Sequence, residues 1–137
     1  MLSQFMTNDK HQKNKIFLGD LYDFPSESMA VGRLDETSEG LLLITTDGQL
    51  SNIINKKGKI EKEYYVQVDG TITIEAAEKM TSGIEISVNG SNYLTKECQA
   101  RIIEQLPALP STLQRVRDDR HGPTSWVSVT LKEGKFR

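Results

Sequence analysis

An acidic turn flanked by two glycines lies directly ahead of an apolar run in this chain. Residues 31–48 read VGRLDETSEGLLLITTDG, with Asp35 in the turn between Gly32 and Gly40. The run at 41–45 predicts a strand buried on both faces, whose start would fix the backbone around Asp35. We expect the glycines to allow a close backbone approach or a positive φ. An enzyme places a carboxylate in such a setting when the acid must meet its substrate in one geometry.

Two interpretations of Asp35 follow from its type and position. An aspartate before a turn often only hydrogen-bonds the local backbone. Alternatively, Asp35 is a nucleophile or a general base, and both roles need the ionised form near neutral pH. If the strand predicted over 29–34 runs as far as Asp35, Arg33 shares a face with it. The guanidinium would then help to keep the acid ionised, or reach towards a phosphate.

Tyr64 is the second candidate for chemistry, and Lys62 lies on the same face of its predicted strand. An aromatic side chain on a strand face is often part of the core. Its functional use would be to stack on a nucleobase or to handle a proton through the phenol. A lysine at the start of a strand is often simply solvated.

Composition indicates a globular chain without the charge of a protein that holds nucleic acid by charge alone. The 137 residues fit one ordinary domain, with 17 basic and 19 acidic side chains and a net charge of −2. The single cysteine, Cys98, excludes an internal disulfide and gives no metal cluster. His11 and His121 have no neighbours at ligand spacing, so no metal site is expected. Without a predicted membrane span or signal peptide, the expected setting is the cytoplasm.

Local patterns predict about seven strands and three helices. Apolar residues at 16–22 indicate a short helix or turn, Asp47 caps a helix over 48–56, and Thr73 caps one over 74–82. The helix over 74–82 is expected to turn Ile74, Ala77 and Met80 inward and to end at Gly83. The remaining predictions are strands at 63–69, 84–88, 96–106 and 124–132, a hairpin at Asn89-Gly90, an irregular stretch at 106–114 and a mixed-charge loop at 115–121.

The strand predicted over 124–132 alternates in a way that indicates one buried side. Strands, hairpins and a few helices together favour an α+β fold with a mixed, mainly antiparallel sheet and flanking helices. Neither G-x-G-x-x-G nor G-x-x-x-x-G-K-[ST] occurs in the sequence.

Three ordered motifs resemble the bacterial ribosomal RNA pseudouridine synthases, in the branch that contains small-subunit synthase A and large-subunit synthases B, E and F. Residues 32–48 match GRLDxxSxGLLLxTxDG, residues 62–66 look like the family's lysine-x-tyrosine strand, and PTSW at 123–126 with LxEGKFR at 131–137 resembles the approach to its third motif. The last stretch is most like large-subunit synthase E.

This resemblance implies that a uridine of ribosomal RNA is isomerised without a redox step or a cofactor. Its catalytic aspartate corresponds to Asp35, which either attacks C1′ or assists elimination. The family tyrosine corresponds to Tyr64, stacked beneath the uracil and assisting proton removal at C5. Arg33 matches an arginine that occupies the space left by the flipped base. The turn between Gly32 and Gly40 would leave room for the sugar, and Lys62 would contact the RNA.

Relatives in this family carry segments that do not match here. A strand with a lysine-proline pair usually comes first, and a glutamine-valine-basic segment usually follows the third motif. We therefore expect residues 1–137 to be a truncated single catalytic domain, without the small amino-terminal RNA-binding module. Arg137 lies beside the position of the basic residue that pairs with the catalytic aspartate but does not match it, so weak turnover is expected. The alternatives are a catalytically silent RNA-binding or assembly module with the same fold and, less favoured, a protein-interaction domain.

Overall fold

A computed structural model describes residues 3–6, 15–35, 38–56, 60–88, 90–108 and 122–132. The described residues up to Ile60 form one compact unit, and those from Glu61 onward form a second. They contain seven strands, two α-helices and one 3₁₀ helix. Every strand pair is antiparallel. The predicted α+β fold with mainly antiparallel pairing and helices is confirmed.

The first unit is built on a short strand pair followed by a helix. A 3₁₀ helix at Leu18–Asp20 fulfils the prediction for 16–22. Strands β1 (Met29–Val31) and β2 (Leu43–Thr45) pair with Ala30 opposite Ile44. Helix α1 (Gly48–Asn55) begins at Asp47, whose Oδ1 accepts the backbone N–H groups of Gln49 at 2.8 Å and Leu50 at 3.1 Å. The predicted cap is therefore confirmed.

The prediction that the run at 41–45 is buried on both faces is wrong. Leu41 is 84% exposed, and Leu43 is exposed as well, whereas Leu42 and Ile44 are half-buried. Burial thus alternates along the chain. Strand β2 belongs to a two-stranded sheet, and helix α1 packs against that sheet. One helix covers one face of such a sheet. Burial of β2 therefore does not hold the backbone around Asp35.

The second unit contains a three-stranded sheet and a hairpin. Strand β3 (Lys62–Asp69) is followed by helix α2 (Ile74–Thr81), which contacts strand β6 (Gln99–Ile103). The sheet has the order β3-β7-β6, where β7 is Thr124–Leu131. Strands β4 (Glu85–Val88) and β5 (Ser91–Leu94) form the hairpin predicted around residues 89 and 90.

Helix α2 begins at the predicted residue and ends one residue earlier than predicted, at Thr81; of the residues expected to face inward, Ala77 is buried and Met80 is half-buried. Thr73 Oγ1 accepts the backbone N–H of Ala76 at 3.2 Å. Gly83 follows the helix with φ +87°, and a Cβ there would lie 2.4 Å from the carbonyl oxygen of Thr95. Ile74 is exposed rather than inward-facing, because it occupies the first position of the helix, where only part of a turn can reach the sheet.

Strand β7 is buried on both faces at its centre, so the prediction of one buried side is wrong. Val127 has no exposed surface, and its neighbour Ser128 is 2% exposed. The two side chains point to opposite faces of the strand. Strand β7 is the central strand of its sheet, between β3 and β6, a position that alternation within one strand does not reveal.

Some sequence predictions lie outside the described residues. They concern His11, His121, most of the irregular stretch at 106–114, the loop at 115–121 and the carboxyl-terminal part of the third motif at 133–137. In the part of the chain that is described, no helix has the length and apolar character needed to cross a membrane.

Val127→Ala is expected to lower the free energy of unfolding of the second unit by about 2–3 kcal/mol, through lost burial and a residual cavity. Val66, its exposed cross-strand partner on β3, provides the matched control, and Val66→Ala should cost less than about 1 kcal/mol. Urea titration followed by fluorescence of Trp126, the only tryptophan, measures both changes. Equal losses for the two variants would contradict the central position of β7.

Candidate active site

Asp35 lies in an exposed turn whose backbone is hydrogen-bonded on both sides. Its carbonyl oxygen accepts the backbone N–H of Ser38 at 3.0 Å. Immediately before it, the hydroxyl of Ser3 donates to the carbonyl oxygen of Leu34 at 2.8 Å and accepts the N–H of Leu34 at 2.9 Å. The side chain of Asp35 is therefore open to solvent on a supported backbone.

The glycines that flank this turn have the backbone conformation expected from the sequence. Gly32 has φ +81° and Gly40 has φ +148°, values that side-chain-bearing residues rarely adopt. A Cβ on Gly32 would lie 3.4 Å from Asn55 Oδ1, whereas one on Gly40 would meet nothing within 4 Å. The requirement for glycine is thus conformational at both positions.

Arg33 does not share a strand face with Asp35. Strand β1 ends at Val31, so the alternation of side chains on which that interpretation rested does not reach positions 33 and 35. The predicted strand over 29–34 is shorter than expected because its partner β2 has only three residues to pair with it. Arg33 is exposed in the segment that connects β1 to the turn.

Tyr64 and Lys62 occupy one face of β3, as predicted. In the ladder with β7, Tyr64 lies opposite Val129 and Lys62 lies opposite Leu131. Tyr64 keeps 43% of its surface exposed, so it is not enclosed in the core. An aromatic ring held on a strand and open on one side is suited to stacking against a planar base.

The opposite face of β3 holds a charged cluster that sequence analysis missed. Glu63 accepts hydrogen bonds from the hydroxyl of Ser128 on β7 and, at 2.9 Å, from the guanidinium of Arg101 on β6. These two bonds, the one from Ser128 first, hold the pKa of Glu63 below its ordinary value. The carboxylate in turn raises the pKa of Arg101. These hydrogen bonds link three strands beside Tyr64. The cluster follows from the strand register, which the sequence alone does not give.

The predicted site residues are divided between the two units. Arg33, Asp35 and the two glycines belong to the first, while Lys62 and Tyr64 belong to the second. That Asp35 and Tyr64 act on the same uridine stays a prediction. Among the described residues, no group of three or more His, Cys, Asp and Glu side chains is placed to hold a metal ion.

The family to which this chain belongs follows from a comparison with known protein families. The sequence model of RNA pseudouridylate synthase matches residues 1–137. The chain belongs to the RNA pseudouridylate synthase family. This confirms the resemblance carried by the three motifs, and it makes the chain a member of a family of isomerases.

Large-subunit pseudouridine synthases are among the similar members of this family. The chain is 33% identical over 138 residues to ribosomal large subunit pseudouridine synthase E of Xanthomonas axonopodis pv. citri, covering 100% of this chain and 69% of the relative. Synthase E of Vibrio parahaemolyticus is 34% identical, covering 99% of this chain and 53% of the relative. Synthase B of Yersinia pestis is 31% identical, covering 82% of this chain and 30% of the relative. The chain therefore spans only part of the length of these relatives.

Glu63 should make the stability of the second unit depend on pH. Its pKa is lowered in the folded state from 4.5, so its contribution is present above that value and is lost as the pH falls through the lowered pKa. We expect wild type to exceed Glu63→Gln in free energy of unfolding at neutral pH, with a difference that shrinks in acid. Urea titrations over that pH range measure it.

Ser128→Ala provides the control for this pH dependence, because it removes the largest cause of the lowered pKa. In that background, the pH-dependent part of the effect of Glu63→Gln should be smaller. A difference that stays constant from neutral pH into acid would contradict the assignment.

Proposed function

We propose that this chain isomerises a uridine of ribosomal RNA to pseudouridine, with Asp35 as the catalytic carboxylate. The observation that carries the proposal is the family match across residues 1–137, which includes the aspartate turn. Relatives named as ribosomal large subunit synthases support ribosomal RNA as the substrate class. Because ribosomal RNA lies in the bacterial cytoplasm, a synthase that acts on it would work there. The proposal treats residues 1–137 as part of a single catalytic domain.

The reaction rearranges bonds within one nucleotide. The N1–C1′ bond breaks, the uracil turns, and a C5–C1′ bond forms; the C5 hydrogen leaves as a proton and N1 gains one. Asp35 acts as an anion, either by attacking C1′ or by assisting elimination at the sugar. Its exposure suits a substrate that comes from solvent, and its hydrogen-bonded turn suits a fixed line of approach.

Tyr64 has the second role in this proposal. Its half-open ring on β3 stacks on the uracil, and its phenol helps to remove the C5 proton after the base has turned. Lys62 precedes it on the same face, at a position from which an ammonium group can contact a phosphate.

Arg33 has the third role, which is to fill the space that the flipped uridine leaves. A guanidinium suits that position because it is planar, permanently charged and able to stack on the neighbouring bases. Its exposure two residues before Asp35 supports this role. Gly32 and Gly40 keep the turn between them narrow enough for a ribose to approach.

Asp35→Asn should abolish isomerisation without weakening RNA binding. We expect the single-turnover rate to fall by at least about 10²-fold, because the amide neither attacks C1′ nor accepts a proton. RNA affinity should not fall, since an anion contributes nothing to the attraction of phosphates. The assay is release of tritium from C5-tritiated uridine in a large-subunit ribosomal RNA transcript. Asp23→Asn, an exposed aspartate of the same unit, should keep the wild-type rate.

The same assay separates this proposal from the alternative of a silent RNA-binding module. That module would bind the transcript in a salt-dependent manner, and Asp35→Asn would not weaken this binding. Even the wild-type module would release no tritium. The weak turnover expected of these 137 residues stays a prediction, which the wild-type rate measures directly.

Tyr64→Phe separates stacking from proton transfer. The phenyl ring keeps the stacking surface but lacks the phenol, so the single-turnover rate should fall by about 10²-fold at unchanged RNA affinity. Tyr64→Leu should additionally weaken binding of the transcript by about 1–3 kcal/mol. Tyr65→Phe, the adjacent change on the other face of β3, should leave rate and affinity as in wild type. A fully active Tyr64→Phe would refute the proton-transfer role.

A further inference from the structure

The backbone just before Asp35 is held by a side chain from far away in the sequence. Strand β1 ends at Val31, so the N–H and C=O of Leu34 lie beyond the ladder. Both groups hydrogen-bond the hydroxyl of Ser3, at 2.9 Å and 2.8 Å. A hydroxyl can do this because it carries one donor and two acceptor lone pairs. Ser3 is only 6% exposed, so water has little access to this pair of bonds.

The segment that carries Ser3 is attached to the first unit at further points. The backbone N–H of Leu18 donates to the carbonyl oxygen of Gln4 at 2.8 Å. The ring of Phe5 packs edge-to-face against Phe24, with centroids 5.1 Å apart. A Cβ on Gly19 would lie 2.9 Å from the carbonyl oxygen of Phe5, which indicates a close backbone approach. Ser3 is therefore brought to Leu34 by a segment that makes its own contacts with the first unit.

We infer that Ser3 is a positioning residue, which acts on catalysis by holding the backbone of Leu34 and thereby the carboxylate of Asp35. The inference rests on the proposed role of Asp35. A displacement of about 1 Å of a reacting group can cost about 10²-fold in rate. The carboxylate extends from an exposed turn, and burial of β2 does not fix its backbone. The two bonds from Ser3 supply that constraint directly.

The kinetic test compares three variants under single-turnover conditions with the C5-tritiated large-subunit transcript. Ser3→Ala should lower the rate of the chemical step by about tenfold or more at unchanged RNA affinity, because it acts through Asp35 rather than on RNA. Ser3→Thr keeps the hydroxyl and should restore most of the rate. Ser51→Ala removes a buried hydroxyl of the same unit, one that accepts a hydrogen bond from the side chain of Asn55. This variant should keep the wild-type rate.

A second measurement is independent of activity. Hydrogen exchange of the Leu34 amide, followed by NMR, should quicken by about fivefold or more in Ser3→Ala, because the amide loses its hydrogen-bond acceptor. Exchange should stay slow in Ser3→Thr and Ser51→Ala. The same spectra establish whether each variant is folded. Ser3→Cys keeps the shape of the side chain and weakens both hydrogen bonds to Leu34. Its rate of the chemical step should lie below that of wild type and above that expected for Ser3→Ala, and it can be measured even if Ser3→Ala does not fold.

The outcomes distinguish this inference from the proposed function. If wild type forms no pseudouridine but Leu34 exchange still depends on the hydroxyl, the proposed function fails and the backbone contact stands without a catalytic role. If wild type is active and Ser3→Ala matches its rate, or slows no more than Ser51→Ala, the positioning role is overturned. A slower rate with unchanged Leu34 exchange overturns it as well.

Discussion

Strand β7 is the element on which the second unit depends, because it bonds to a partner strand along each edge. Its ladder with β3 pairs residues that are more than fifty positions apart in sequence over eight consecutive positions. That register determines the face on which each β3 side chain lies. It places Glu63 where Ser128 and Arg101 can bond it, and so leaves Tyr64 and Lys62 on the other face. The pairing of β3 with β7 therefore determines the face on which the ring of Tyr64 lies.

The first unit has less regular structure and relies on side chains that bond the backbone. Its sheet has two strands of three residues each, too short to hold the turn that follows β1. Asp47 caps α1, and Ser3 holds Leu34. The side chain of Asp35 is exposed although the backbone of Leu34 and of Asp35 is hydrogen-bonded. This combination of an open side chain and a restrained backbone suits the RNA substrate that we propose.

Features set by neighbouring residues could be predicted from the sequence, whereas features set by distant partners could not. The caps at Asp47 and Thr73 and the strand that carries Tyr64 are local features, and the structure has all of them. The exposure of Leu41 and the burial of both faces of β7 depend on how many strands and helices lie alongside. One stretch of sequence does not contain that information. Ser3 carries no local signal, because its partner lies thirty-one residues away. The motif around Asp35 is a run of neighbouring residues, so it indicates the family without any knowledge of its geometry.

In the function that we propose, the carboxylate of Asp35 carries out the conversion of uridine to pseudouridine. The most direct test is the pseudouridine content of a large-subunit ribosomal RNA transcript after incubation with excess wild type or Asp35→Asn, determined by nucleoside chromatography on samples whose RNA binding is also measured. We expect pseudouridine with wild type, none above background with Asp35→Asn, and bound RNA in both. Equal pseudouridine content in the two samples would contradict it.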